Sequence, residues 1–226
     1  MNDTIISCCD VTKRFAARGK QTEVLSGVTL TVKAGHVVLI RGRSGTGKTT
    51  LLQILAGLDK PTSGHVEIAG QFIDKLNSKK LTQLRRDNIG FIFQNFNLLP
   101  SWTAQENVEA ALIHTKLSLS KRRQKALELL SEMGLADRAD HLPSELSIGQ
   151  QQRVAVARAL VNNPRIVFAD EPTGDVDEET GGVVVESLVN LVRSHKASLV
   201  VCTHGGFSRE IANEEYILSD GKIAGE

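Results

Sequence analysis

The chain has 226 residues, enough to bury the core of one α/β domain or of a core with a smaller subdomain. Its 27 Lys and Arg residues are balanced by 26 Asp and Glu residues, giving a formal net charge of +1. This balance argues against both a nucleic-acid-binding surface and a polybasic membrane patch, so we expect no nucleic acid among the partners.

The N-terminus gives no sign of a leader, since residues 1–4 contain no basic segment followed by an apolar one. No apolar run in the chain approaches the roughly 18 residues that a membrane-spanning helix needs. We therefore expect a cytoplasmic protein whose contact with a membrane goes through a partner.

The N-terminal part predicts two strands, over residues 5–11 and 24–32, with a polar turn at residues 18–20. Phe15 stands in the predicted loop between them. An exposed aromatic residue there could stack on a nucleotide base, but its spacing is equally consistent with a partly buried anchor for the loop.

A third apolar run, residues 37–40, leads into a glycine-rich loop and then a helix predicted over residues 50–56. The loop matches the phosphate-loop pattern of glycine, four free positions and Gly-Lys-Thr, and reads Gly42-Arg43-Ser44-Gly45-Thr46-Gly47-Lys48-Thr49-Thr50. Glycines allow consecutive N–H groups to turn toward an anion, and the helix N-terminus adds donors and a positive dipole end. We expect Lys48 to reach the β- and γ-phosphates, Thr49 to ligate magnesium, and Thr50 to bond a more inner phosphate.

The next part of the chain predicts a turn at residues 60–64, a short strand at 65–69 and a polar helix at 78–86. Residues 89–93 predict a buried strand that ends at Gln94, whose amide can contact a metal ion and a loop that moves. Residues 95–103 are unusually apolar for a connection, which fits either a docking surface or a cap on a helical core. Residues 104–133 have a helical composition, and their spacing puts three residues on one face: Leu127, Leu130 and Met133.

A further helix is predicted to open at residues 146–153 and to run to about residue 162. Ser147 and Gly149 at its N-terminus form a second anion-seeking tip, and one side of the helix is apolar, with Val154, Ala157 and Val161. Residues 165–172 follow as a continuous apolar run that ends in two carboxylates, as expected for a central parallel strand.

The last part predicts a helix over residues 178–194 capped by Asp177, a buried strand over residues 198–203, and an alternating tail. Four polar residues then follow predicted strands: Gln94, Asp170, Glu171 and His204. Because the carboxyl ends of parallel strands line one crevice, we expect these residues to lie beside the phosphate loop.

This set of residues predicts an ATPase, because it offers chemistry as well as binding. Asp170 is placed to hold magnesium through water, and Glu171 to polarise the water that attacks the γ-phosphate. His204 would orient that water, while Lys48 and Mg²⁺ offset the charge on the phosphoryl oxygens.

The chain resembles the ATP-binding-cassette ATPases over its full length, because all the family motifs occur in family order. They are the Walker A loop from Gly42 to Thr49, the Q-loop residue Gln94, the signature at residues 146–150, the Walker B strand at 166–171, the D-loop at 173–177, the switch residue His204 and the base-stacking aromatic Phe15. Within the family, residues 94–100, 103–108 and 169–174 are similar to ATPase subunits of lipoprotein-releasing, macrolide-exporting and haem-exporting systems.

The resemblance implies a single domain over residues 1–226, with a P-loop NTPase core of RecA-like mixed sheet and helices. An antiparallel β subdomain and a helical subdomain at about residues 95–160 would complete it. The implied ligands are ATP and Mg²⁺, the latter held by Thr49, Gln94 and Asp170.

The resemblance also implies a head-to-tail homodimer in which ATP on one Walker A loop is covered by the other chain's Ser147, Gly149 and Gln150. Residues 94–102 would dock a separate membrane permease, placing the ATPase on the inner face of the cell membrane. The cargo of such a system would be a lipoprotein, a hydrophobic compound, a peptide or haem, moved by export or extraction.

Four positions depart from the family pattern. Ile148 replaces the first signature glycine, which would strain the closed dimer if that position requires a positive φ or a close approach. Asp175 and Val176 replace the commoner Asn and Leu of the D-loop. Arg43 replaces the usual proline of the Walker A loop, which should matter little because the N–H donors of the loop remain.

Two other functions are alternatives to a transporter ATPase. One is a cassette ATPase acting on nucleic acid or ribosomes, but only 98 residues (147 minus 49) separate Thr49 from Ser147, leaving no room for the long insertions of DNA-repair relatives. The other is an envelope-associated ATPase that regulates or signals through a membrane partner without transport. Glu171 and His204 argue against a cassette that hardly hydrolyses ATP, and Ile148 argues mildly for it.

Overall fold

The computed structural model describes residues 4–17, 20–172, 188–204 and 211–224. The elements in chain order are β1 (Thr4–Ala17), β2 (Lys20–Lys33), β3 (Val37–Arg41), α1 (Lys48–Leu55), β4 (Ser63–Ile68), β5 (Gln71–Phe72), α2 (Ser78–Asn88), β6 (Ile89–Ile92), α3 (Ala104–Glu109), α4 (Leu119–Glu132), α5 (Ile148–Leu160), β7 (Ile166–Asp170), β8 (Ser198–Thr203), β9 (Glu214–Ser219) and β10 (Lys222–Ala224). Residues 188–194 are also helical, and this is the described part of the helix predicted over residues 178–194. The predicted cap Asp177 and the D-loop positions Asp175 and Val176 lie outside the described residues.

Six strands form a mixed sheet in the order β10-β9-β3-β8-β7-β6. The neighbours from β9 to β6 run parallel, and β10 alone among them pairs antiparallel. Every residue of β7 and β8 is buried, as continuous apolar runs require when helices cover both faces of a sheet. The carboxyl ends of β3, β6, β7 and β8 therefore share one edge, where the predicted site residues follow.

The two faces of this sheet bury two apolar clusters. Val38 and Ile40 of β3 face a cluster built with α1 and the N-terminal strands. Val37 and Leu39, which alternate with them, face a cluster built with α3, α4 and α5. One short strand thus anchors both halves of the core.

A second, antiparallel sheet has the order β2-β1-β4-β5. Its first two strands are longer than predicted, because pairing continues as far as Ala17 opposite Lys20. An ion pair of 2.7 Å between Arg14 Nε and Glu23 Oε2 spans the extension. Phe15 consequently lies in β1 opposite Thr22 and not in a loop, and residues 18 and 19 of the predicted turn lie outside the described residues.

The buried faces of helices α4 and α5 can be compared with those predicted from the sequence. The prediction for α4 was wrong at Leu127, which is 41% exposed; the buried face consists of Ala126, Leu129, Leu130 and Met133. This i, i+3, i+4 pattern is what a helix of 3.6 residues per turn presents. The predicted face of α5 is confirmed, since all three of its named residues are buried. Among the described helices, none has the length and apolarity that a membrane span requires.

Candidate functional site

The phosphate loop connects the end of β3 to the start of α1, as the sequence predicted. Gly47 precedes the helix with φ of 101°, and a Cβ atom at this position would lie 3.0 Å from the Val24 carbonyl oxygen. Only glycine satisfies both conditions. No side chain caps α1 and its first turn has no acidic residue, so its leading N–H groups are open to an anion.

Lys48 is the buried cation of the site, with only 4% of its surface exposed. Its Nζ donates to the carbonyl oxygens of Gly42 at 2.9 Å and Arg43 at 3.0 Å. The third partner is Glu171, whose Oε1 lies 3.2 Å away. The ammonium group is therefore held by the loop backbone on one side and by a carboxylate on the other.

Glu171 connects this lysine to the predicted histidine. Its Oε2 lies 3.2 Å from Nδ1 of His204, and its backbone N–H donates to the Cys202 carbonyl at 2.9 Å. The residue has φ of 43°, a left-handed conformation that is uncommon for a side chain other than glycine and often found at functional sites. The backbone thus turns sharply at the end of β7 and aims the carboxylate at Lys48.

Asp170 is the second carboxylate at the end of β7, and it is only 4% exposed. Burial is the main cause that raises its pKa above the usual value, and a hydrogen bond from the Thr49 side chain partly offsets this effect. Its Oδ1 atom is buried and has no hydrogen-bond partner among the described residues. An orphaned carboxylate oxygen next to a threonine hydroxyl is a suitable pair of oxygen ligands for a hard cation such as Mg²⁺.

A cleft of about 330 Å³ lies beside these residues. Its lining includes most of the phosphate loop together with Gln94 and Glu171, and the full set is Val24, Ser44, Gly45, Gly47, Lys48, Thr49, Thr50, Gln94 and Glu171. Thr46 braces the loop from within, since its hydroxyl donates to the Arg43 carbonyl at 2.9 Å. Val24 was missed by sequence reasoning, because nothing in a strand residue signals that it will border the loop.

Eight predicted ligand-binding residues are not among those lining this cleft: the loop residues Gly42, Arg43 and Thr46, the predicted metal ligand Asp170, and four residues from elsewhere in the chain, Phe15, Ser147, Gly149 and Gln150. The catalytic candidate His204 is not among the lining residues either. Phe15 is exposed on β1, where Lys13 Nζ lies 5.0 Å from the centre of its ring. Ser147 is the N-cap of α5, accepting from the backbone N–H of Gln150 at 3.3 Å, and Gly149 lies exposed in the first turn. Within one chain, the described cleft is therefore built without the signature motif.

Two of the departures from the family pattern now have a structural setting. Ile148 begins α5 and its φ is not positive, so this residue carries no left-handed strain in the single chain; its side chain is 57% exposed. Arg43 contributes its carbonyl oxygen to Lys48, an interaction that any residue provides.

The comparisons with known proteins agree with this geometry. The family model for the ABC transporter matches residues 25–174. The chain is 44% identical over 214 residues to the macrolide export ATP-binding/permease protein MacB of Brucella melitensis, which covers 95% of this chain and 33% of that protein. The chain thus spans about a third of the length of the curated relatives it matches.

Solved structures resemble the chain over nearly all of its length. The dimeric structure of MJ0796, a bacterial ABC transporter cassette, superposes with a TM-score of 0.88 at 41% identity and 97% coverage of both chains. A dimeric post-hydrolysis state of the same cassette bound to ADP and Pi gives a TM-score of 0.86 at the same identity and coverage. The matched family model, these structural neighbours and the phosphate cleft lead to one conclusion: this chain belongs to the ABC transporter family, as an ATP-binding cassette with ATPase chemistry.

Proposed function

We propose that the chain binds ATP in the cleft at the phosphate loop and hydrolyses it to drive a membrane permease that exports or extracts its cargo. The observation that carries this proposal is the contact of Lys48 with Glu171 and of Glu171 with His204, both at 3.2 Å, on the rim of the open N-terminus of α1. A phosphate-binding cation, a carboxylate base and an imidazole are thereby brought within reach of one reacting phosphate.

The proposed roles follow from these contacts. The ammonium group of Lys48 exchanges its contact with Glu171 for contacts with the β- and γ-phosphate oxygens. The carboxylate of Glu171 is then free to accept a proton from the attacking water. His204, held on the other carboxylate oxygen, orients that water against the γ-phosphate. The loop residues Ser44, Gly45 and Thr50 face the cleft and would donate to phosphate oxygens.

Thr49, Gln94 and Asp170 are the residues that would hold Mg²⁺. The unpartnered, buried Oδ1 of Asp170 supports this assignment. No cluster of three His, Cys, Asp or Glu side chains suited to a metal occurs in the described parts of the chain, which fits an ion held by few protein ligands and by substrate phosphates. When bound there, Mg²⁺ would offset the negative charge on the phosphate oxygens.

We further propose that two copies of the chain pair head to tail, with Ser147, Gly149 and Gln150 of one copy completing the ATP site of the other. The exposure of this helix tip and its separation from the cleft of its own chain support the arrangement. The dimeric structures of the similar cassette MJ0796 support a homodimer.

A membrane partner is proposed from the curated relatives, which are named ATP-binding/permease proteins. The chain would lie at the inner face of the cell membrane, with residues 94–102 docked on the permease. Residues 95–160, containing α3, α4 and α5, would act as the helical subdomain of a single domain over residues 1–226. For the alternative of a regulatory cassette with little hydrolysis, Ile148 gives no support within the single chain, because its φ is not positive; an Ile148→Gly variant tests for strain in the closed dimer.

The test replaces Glu171 by Gln in the full chain. We expect ATP to be retained in equilibrium dialysis, while phosphate release falls by roughly 10²- to 10⁴-fold, the usual contribution of a positioned base. Glu128→Gln is the matched control, because Glu128 is an exposed residue of α4 remote from the cleft. This variant should hydrolyse ATP at the wild-type rate. Wild-type phosphate release by Glu171→Gln would refute the role of Glu171, and failure of the unaltered chain to retain Mg-ATP would refute the whole proposal.

A further inference from the structure

The apolar loop, residues 95–103, lacks regular secondary structure and yet has a well-defined backbone. Phe96 and Asn97 both adopt left-handed conformations, with φ of 57° and 47°. Such conformations persist in residues other than glycine only where neighbouring groups hold them. Two polar side chains, one buried and one half-buried, each from a different helix, supply that support.

The first is Asn107 of α3, which is completely buried. Its Oδ1 accepts from the Leu99 N–H at 2.7 Å, and its Nδ2 donates to the carbonyls of Leu99 at 3.1 Å, Trp102 at 3.0 Å and Thr103 at 3.0 Å. One amide group thus fixes the second half of the apolar loop.

The second is Arg158 near the end of α5. Its guanidinium group donates to the carbonyl oxygen of Asn97 at 2.7 Å and to that of Phe96. These are the two residues with left-handed backbones, so one planar fork holds the strained turn. Partial burial of the guanidinium group lowers the pKa of Arg158 from its usual value.

The position of Arg158 on α5 gives this contact its significance. Ser147 caps the exposed end of the helix, and Arg158 lies about 17 Å further along it, at 1.5 Å per residue. Close to Arg158, β6 approaches α5 so tightly that a Cβ on Gly90 would lie 2.4 Å from the Ala159 carbonyl oxygen. This end of α5 is therefore packed tightly against β6 next to Arg158, so a tilt of the helix would turn the guanidinium group together with the carbonyls that it holds.

We propose that Arg158 is a positioning residue that couples the tilt of α5 to the orientation of the apolar loop, while Asn107 keeps the rest of the loop rigid. The inference rests on the proposed function, in which ATP engages the tip of α5 in trans and the apolar loop docks the permease. It assigns to one arginine the mechanical link between those two surfaces.

The chain contains its own probe of this link, because Trp102 lies in the apolar loop and is the only tryptophan in the sequence. The parent protein for the test is the Glu171→Gln variant, which retains ATP. We expect Mg-ATP to change Trp102 emission, and Arg158→Met to reduce that change at least about fivefold while the ATP-dependent dimer still forms in sedimentation velocity. Arg158→Lys, which keeps the charge but not the fork, should give an intermediate change.

A nucleotide-free measurement and a matched control separate coupling from general damage. Arg158→Met should raise acrylamide quenching of Trp102 about twofold in the absence of ATP. Arg153→Met removes a similar arginine from the same helix, one that bonds the carbonyls of Met133 and Gly149 and not the apolar loop. It should leave the nucleotide-free quenching of Trp102 as in the parent.

The outcomes are distinguishable. If the dimer forms and Arg158→Met keeps the full Trp102 response, or if quenching does not rise, the coupling role of Arg158 is wrong. If the parent dimerises with no change at Trp102, the inference fails while the proposed function stands. If ATP produces no dimer in the parent, the proposed function fails and the inference fails with it.

Discussion

Asp170→Asn should stabilise the nucleotide-free chain while removing its response to magnesium. The carboxylate is 4% exposed and its Oδ1 has no hydrogen-bond partner among the described residues. An unsatisfied buried polar group costs about 1–3 kcal/mol, and more when it is charged. Asparagine keeps the shape and leaves a neutral amide atom at the Oδ1 position, so only the additional cost of the charge is recovered, and we expect a gain of about 1–2 kcal/mol. For a chain of this size that is a rise in Tm of roughly 2–8 °C.

The pH dependence gives the effect a sign that can be checked. Burial raises the pKa of Asp170 in the folded chain above its ordinary value of 3.8, so the folded state binds this proton more readily than the unfolded state. The resulting stability is fully present below the ordinary value and is lost as the pH rises through the raised pKa. The advantage of Asp170→Asn should therefore be small in acid and grow toward neutral pH.

Differential scanning fluorimetry at several pH values measures this prediction, with and without ATP and Mg²⁺. The control is Asp137→Asn, because Asp137 is an exposed residue whose replacement should leave the melting temperature close to that of the wild type. Magnesium should add to the ATP-dependent rise in Tm in the wild type and add nothing in Asp170→Asn. Equal melting temperatures for both proteins at neutral pH, or a lower one for the variant, would refute the argument from the orphaned carboxylate oxygen.

Three further predictions concern stability and turnover. Gly90→Ala should lower the free energy of unfolding by about 1–3 kcal/mol, because the new Cβ would sit 2.4 Å from the backbone oxygen of Ala159; an unchanged urea midpoint would show that this packing yields easily. Ile148→Gly should leave the steady-state ATPase rate no higher than wild type, since Ile148 is not left-handed, and a faster rate would reveal strain confined to the closed dimer. Asn77→Ala should cost about 1 kcal/mol in chemical denaturation by removing the cap that accepts from the Lys80 N–H, whereas Asn77→Asp, which can still cap, should not.

The parts of the fold and site that were predictable are those fixed by local sequence. The phosphate loop is one, because glycine spacing, a preceding apolar run and a following helix are all contiguous. The strands that end at Asp170 and at Thr203 are another, because continuous apolar runs identify buried parallel strands and parallel strands share an edge.

What could not be predicted depends on partners distant in sequence. The length of β1 is set by its pairing with β2, which extends an unremarkable polar stretch into a strand. The hydrogen bonds of Arg158 reach Asn97 and Phe96, which lie 61 and 62 positions earlier in the chain. They end on backbone carbonyls, which any sequence offers equally. The contact between Lys48 and Glu171 was missed for a related reason: both residues were assigned to the nucleotide, and the sequence does not say what they do without it.

That last contact bears on how wasteful turnover is avoided. Lys48 and Glu171 neutralise each other's charges across the cleft, and this contact engages the carboxylate. On the assignment proposed for Glu171, arrival of the triphosphate both fills the cleft and unlocks the group that will cleave it. Binding of ATP would then itself activate the base, and hydrolysis would need no separate inhibitor between turnovers.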